Sequence, residues 1–213
     1  AVKPVDPARE GYTFTGWDSE YSAITSATTV TAQYVINEYT ITFDTAGGSD
    51  IEALVQDYGS AVVKPSDPTR EGYTFLGWDK AMPDTMPSGN MTITAQWEIN
   101  TYELNYSAGE NGTLEGIASQ PVVYLNSGTD VTAVPAAGYY FVKWSDESTA
   151  NPRTDADVKG NITVTAIFEI NKYVVTFKDW NGNVLETQEV SHGSDAVKPV
   201  DPAREGYTFT GWD

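Results

Sequence analysis

The chain has 213 residues, 26 of them aromatic (6 Trp, 13 Tyr, 7 Phe), and no cysteine; 30 acidic against 12 basic side chains give a formal net charge of −18. A field of that sign repels phosphate backbones, anionic lipid and sulfated sugars, which argues against nucleic-acid and membrane-surface partners. No disulfide can staple the fold, and no apolar run approaches the ~18 residues that span a bilayer.

In chain order, the first segment reads AVKPVDPAREGYTFTGWD from Ala1 to Asp18. Prolines 4 and 7 forbid regular strand or helix, so an ordered extended loop is expected. The Gly11–Trp17 stretch that follows admits two readings, an aromatic carbohydrate platform or core. Core is favoured for Tyr12, Phe14 and Trp17, because a small unit has few other large apolar residues to bury.

Next, Tyr39, Ile41 and Phe43 alternate with Thr40 and Thr42, the period of two that marks a strand with one apolar face. The segment VVKPSDPTREGYTFLGWD, Val62 to Asp79, matches the opening one at fourteen of eighteen positions and offers Tyr73, Phe75 and Trp78 as core. Lys80–Ser88 holds two prolines and allows at most one helical turn. Gly89-Asn90 then turns the chain into an alternating strand with Ile93, Ala95 and Trp97.

A more divergent echo carries Val134, Pro135, Gly138, Tyr139, Phe141 and Trp144, followed by a second Gly-Asn at 160–161. Past it, Asn181-Gly182 between Val174–Phe177 and Val184–Val190 is a strong hairpin signal. The last eighteen residues, Ala196 to Asp213, are identical to the first eighteen and supply Tyr207, Phe209 and Trp212.

Self-similarity at such spacing is the mark of a tandem array. The pattern Ala-x-[Tyr/Trp/Phe]-x-Ile-Asn-x-Tyr occurs at Ala32–Tyr39, Ala95–Tyr102 and Ala166–Tyr173, and its Asn residues 37, 100 and 171 set periods of 63 and 71 residues. The expected organisation is therefore 1–36, the closing part of one repeat; 37–99, a complete repeat; 100–170, a divergent repeat; and 171–213, the opening part of another. The junctions hold no Gly/Ser spacer, which points to stiff joints and an elongated rod. The ends cut through repeats, so each end half is expected to be completed by a neighbouring repeat or by head-to-tail self-assembly.

Candidate chemical residues are few. His192, the only histidine, lies in Ser191-His192-Gly193-Ser194-Asp195, but the equivalent Tyr58-Gly59-Ser60 lacks it, and a triad is a matter of geometry. Asp179, Asn181 and Asn183 have the alternating oxygens of a Ca²⁺ loop, without the later acidic ligand; a hairpin turn explains them equally well. Asp155 and Asp157 are a second oxygen pair. Asn90, Asn111 and Asn161 each begin an Asn-x-Thr sequon and read as turn residues. A Lys–Asn isopeptide staple would need a buried lysine, which sequence does not locate.

The motif P-x-D-P-x-R-E-G-Y-T-F-x-G-W, with Y-x-[IV]-T-F before it and T-x-T-A-Q-[WY] after it, resembles the internalin-type B repeat, also called the Listeria–Bacteroides repeat. Residues 100–170, through Gly109–Thr113, Gly128–Thr132 and Gly138–Trp144, resemble its divergent form. The resemblance implies mainly β (α+β at most) modules of a β-grasp-like, ubiquitin-like kind, with some helix, in bacterial surface or secreted proteins. It implies no enzyme and no cofactor. The function expected is a structural stalk or spacer that forms fibres when its ends are completed; an adhesin module is the alternative, and the distal ligand is left open.

Overall fold

The computed structural model describes residues 4–212, and the regular structure in them is all β, with no helix. By its contacts the chain divides into two units, Ala1–Asn100 and Thr101–Asp213.

In the first unit, β1 (Tyr12–Trp17) and β2 (Ala32–Ile36) form an antiparallel pair. A four-stranded sheet follows from β3 (Glu38–Asp44), β4 (Leu54–Asp57), β5 (Tyr73–Trp78) and β6 (Met91–Ile99), in the order β4-β3-β6-β5. The central pair β3/β6 is parallel, with Ile41 opposite Met91 and Phe43 opposite Ile93, and the outer pairs are antiparallel. Alternation sets the buried face: Ile41 and Ile93 are fully buried, and Phe43 and Met86 join them. The turn residue Asn90 does more than turn. Its Oδ1 accepts the Thr40 N–H at 2.9 Å, satisfying a first-strand donor where the parallel pair begins. Residues 62–72 carry no strand, as the prolines dictate, and Pro68 is buried.

The second unit uses β7 (Thr101–Ala108), β9 (Ser119–Val123), β11 (Tyr139–Trp144) and β12 (Ile162–Ile170) in the same arrangement, ordered β11-β12-β7-β9 around a parallel β7/β12 pair. Asn161 plays the part of Asn90, its Oδ1 accepting the Glu103 N–H at 2.9 Å. This repeat adds an antiparallel pair, β8 (Gly112–Gly116) with β10 (Val131–Pro135), which the periodicity does not reveal. The addition thickens the core, which gathers Leu104, Tyr106, Val131, Trp144, Val164 and Phe168 among others. The tail contributes the hairpin β13 (Lys172–Lys178) and β14 (Val184–Ser191).

Both end halves thus contain a paired hairpin. The tail pair closes across a tight turn at residues 179–183, whereas β1 and β2 are joined by the long connection 18–31.

Candidate functional site

Successive repeats meet at a joint built from a glycine, an asparagine and a ring. Gly11 has φ +74°, a conformation glycine adopts at no steric cost. Its carbonyl accepts the Asn37 N–H at 2.9 Å, and the Asn37 carbonyl accepts the Tyr58 N–H at 2.9 Å. The Tyr58 ring covers Gly11 so closely that a Cβ there would fall 2.0 Å from it, and the ring packs edge-on against Tyr12 and Tyr39. Thr13 Oγ1 donates to Asn37 Oδ1 at 2.6 Å.

The second unit repeats the device. The Asn171 N–H donates to Gly138 and the His192 N–H donates to Asn171, each at 2.8 Å, and the imidazole covers Gly138. The histidine singled out in the sequence therefore stands where Tyr58 stands, tilted against Tyr173 at 6.0 Å. At the end of the first unit the Asn100 N–H donates to Gly72 at 2.9 Å, and Thr74 Oγ1 to Asn100 Oδ1 at 2.7 Å.

The aromatic candidates are distributed unevenly. Trp144 is fully buried, edge-on to Tyr106 and Phe141, with its Nε1–H donated to the Ala150 carbonyl at 2.8 Å. Trp17, Trp78 and Trp212 are half-buried, as are Tyr12, Phe14, Tyr73, Phe75, Tyr139, Phe141 and Phe209, whereas Tyr207 is exposed. Each Trp keeps its Phe partner: Phe14–Trp17, Phe75–Trp78 and Phe209–Trp212 lie 5.3–5.5 Å apart.

The oxygen-rich candidates are committed elsewhere. Asp179 Oδ1 accepts the N–H groups of Asn181 and Asn183, and its Oδ2 accepts the Asn183 side-chain amide, so the carboxylate closes the hairpin turn. Those donors, the Asn183 side chain first, hold its pKa below the usual value. Asp155 is bound by Arg153, which is 5% exposed: Nε donates to Oδ2 and Nη2 to Oδ1, both at 2.8 Å. Arg153 Nη1 reaches Asp146 Oδ1 at 2.8 Å, and the Tyr106 hydroxyl donates to Asp155 at 2.7 Å. The guanidinium holds both carboxyls below the ordinary range, while burial and then the Asp155 bond push the Tyr106 phenol up. Among the described residues no three His, Cys, Asp or Glu side chains gather to hold a metal, and none of the described lysines is buried. Lys3 lies outside the described residues. The buried cation, Arg153, is one the sequence reading missed; no periodicity marks it.

Comparison with known proteins follows the same division. The Listeria-Bacteroides repeat domain matches residues 1–38, 39–96 and 173–213, and the Divergent InlB B-repeat domain matches 102–172. A protein of Evansella cellulosilytica named as a Gly-rich membrane protein is 27% identical over 232 residues, covering 99% of this chain and 26% of that protein. Internalin H of Listeria monocytogenes is 37% identical over 121 residues, covering 46% of this chain and 21% of its own length. The chain thus spans about a quarter of these relatives. Among solved structures, Streptococcal High Identity Repeats in Tandem (SHIRT) domains 3-4 from a cell surface protein align with 63% of this chain and 98% of theirs at 15% identity and a TM-score of 0.24, too low to carry a fold argument. With most of its length matched by one repeat and the remainder by that repeat's divergent form, the chain belongs to the Listeria-Bacteroides repeat family, the internalin-type B repeats.

Proposed function

We propose that the chain is a structural spacer of a bacterial cell-surface protein, a run of small modules that holds other parts of a longer polypeptide at a set distance. One observation carries this reading. A single residue, Asn37 or Asn171, separates the last strand of one repeat from the first of the next, and that residue is pinned on both sides by backbone hydrogen bonds under a ring seated on glycine. A flexible Gly/Ser linker would leave the modules free to reorient; this joint does not.

The modules are read as grasp-like on their strand order, a parallel central pair flanked by antiparallel strands, with the proline-rich loop replacing a crossover helix. The Phe and Trp of each Gly-Tyr-x-Phe-x-x-Trp motif, with Tyr12, Tyr73 and Tyr139 but not the exposed Tyr207, act as anchors of the module core. An adhesin would repeat an exposed apolar patch in equivalent places. Leu76, 61% exposed, is answered by Thr15 and Thr210 in the other copies, so this exposed leucine is not a repeated feature.

The test uses the absence of native cysteine. Spin labels at Thr15→Cys and Val55→Cys, both exposed, straddle the first joint. A narrow distance distribution that broadens on Gly11→Ala is expected; a broad distribution in the parent background would overturn the rigid spacer.

A further inference from the structure

Two asparagines of the chain precede glycine, Asn111 and Asn181, and both are exposed. Such a pair is open to intramolecular attack, because the glycine nitrogen lies near the asparagine Cγ and has no Cβ beside it to shield it. Asn37, Asn90, Asn151, Asn161 and Asn183 precede other residues, and each ties its side chain into a hydrogen bond. For attack, the Asn-Gly peptide must rotate until its nitrogen faces Cγ. The neighbours of that peptide therefore decide the rate.

At Asn111 the peptide is locked. The Asn111 carbonyl accepts the Ala136 N–H at 2.8 Å, and Gly112 begins β8 opposite Pro135. Gly112 also lies under Phe168, so close that a Cβ there would fall 2.3 Å from the ring. At Asn181 the peptide is loose. A Cβ on Gly182 would meet nothing within 4 Å. Among the described residues, neither the Asn181 carbonyl nor its side-chain amide has a hydrogen-bond partner. Gly182 N–H donates to the Asp179 carbonyl at 3.0 Å, a solvent-facing turn bond of the kind that opens locally at little cost. The exposure belongs to the position, since Ala46 and Gly47 in the same turn of the complete repeat are exposed too.

We propose that Asn181 is a site of spontaneous deamidation, with water as the only co-reactant. The Gly182 nitrogen bonds to Asn181 Cγ, the Cγ–Nδ2 bond breaks, and Nδ2 leaves as ammonia with the Gly182 amide proton. Water then opens the succinimide ring. Opening at Cγ gives aspartate; opening at the backbone carbonyl gives isoaspartate, in which the chain runs through Cγ. Both products place a new negative charge beside Asp179, whose Oδ1 accepts the Asn181 and Asn183 N–H groups at 2.8 and 2.9 Å. Isoaspartate also inserts a methylene between those two donors, so one carboxylate oxygen no longer holds both, and the β13–β14 hairpin loosens from its turn. None of this depends on the spacer reading.

The full chain is held in warm neutral buffer and sampled over time. Digests are read by mass spectrometry, with enzymatic methylation to count isoaspartate. The peptide carrying Asn181 should gain the mass of an amide-to-acid conversion about tenfold faster or more than the peptide carrying Asn111, because the backbone bond and ring contact at Asn111 raise the barrier by that order. Isoaspartate should accompany aspartate in the product. In urea-denatured chain the two asparagines should convert at similar rates. An Asn181 that stays unconverted, or converts no faster than Asn111 in the folded chain, overturns the proposal. So does conversion without isoaspartate, or a rate gap that survives denaturation.

Discussion

Replacing Trp144 by Ala removes the one tryptophan of the four motif copies that is fully buried. Truncating a buried Trp costs about 3–5 kcal/mol through lost transfer energy and the cavity left behind. The substitution also deletes the 2.8 Å bond to the Ala150 carbonyl, worth about 1 kcal/mol, and the edge contacts to Tyr106 and Phe141. These effects overlap and are not summed. A module of this size holds on the order of 5 kcal/mol, so residues 100–170 should sit near or beyond their unfolding midpoint. Trp78→Ala removes a half-buried ring from a smaller cluster and should cost less. Hydrogen exchange read peptide by peptide separates the repeats: amides of β7 and β12 should lose protection in W144A while β3 and β6 keep theirs. Unchanged protection in β7 and β12, or a larger loss in W78A, would refute the anchor argument.

Acid should unfold the divergent repeat through the Arg153 cluster. The depressed pKa values of Asp146 and Asp155 contribute stability that is complete above the ordinary Asp value of 3.8 and is lost as pH falls through their lower folded values, so Asp155→Asn should flatten the acid limb of a pH–stability curve. At neutral pH, Asp155→Ala, which leaves the buried guanidinium with Asp146 alone, should cost up to about 3–5 kcal/mol in urea denaturation, whereas Arg153→Met together with Asp155→Leu should cost far less. Gly138→Ala meets both a φ of +86° and the His192 ring at 2.1 Å, and a double-mutant cycle should show His192→Ala recovering the steric part but not the backbone part of about 1–2 kcal/mol. Leu125, φ +62°, stands where the preceding repeat has Gly59, φ +76°; Leu125→Gly should stabilise by up to about 1 kcal/mol in thermal melts.

The repeats, their β character, the Asn181-Gly182 hairpin and the proline loops are all legible in sequence because each is a local rule. Alternation, turn chemistry and the fixed φ of proline do not need the rest of the molecule. The joint was half legible: Asn37 and Asn171 marked the boundary, but their hydrogen bonds to Gly11 and Gly138 run back into the preceding repeat and depend on tertiary placement. His192 reads in sequence as a plain loop residue, and the structure gives it the role that Tyr58 has in the earlier repeat, a ring that covers a glycine. Arg153 was invisible. Its partners Asp146 and Asp155 are brought to it by the pairing of Val131 with Arg153, a contact no pattern announces. The β8–β10 pair escaped because Gly112–Gly116 is too short and too glycine-rich to alternate.

The parallel central pair has a consequence for a repeat under tension. Each complete repeat begins with β3 or β7 and ends with β6 or β12, and these are the two strands that lie side by side in parallel. A pull applied through the chain draws the start of the first strand and the end of the last in opposite directions along one shared ladder. The bonds between Ile41–Asp44 and Met91–Thr94 are then loaded in shear and must fail together, whereas an antiparallel hairpin pulled from its ends would unzip one bond at a time.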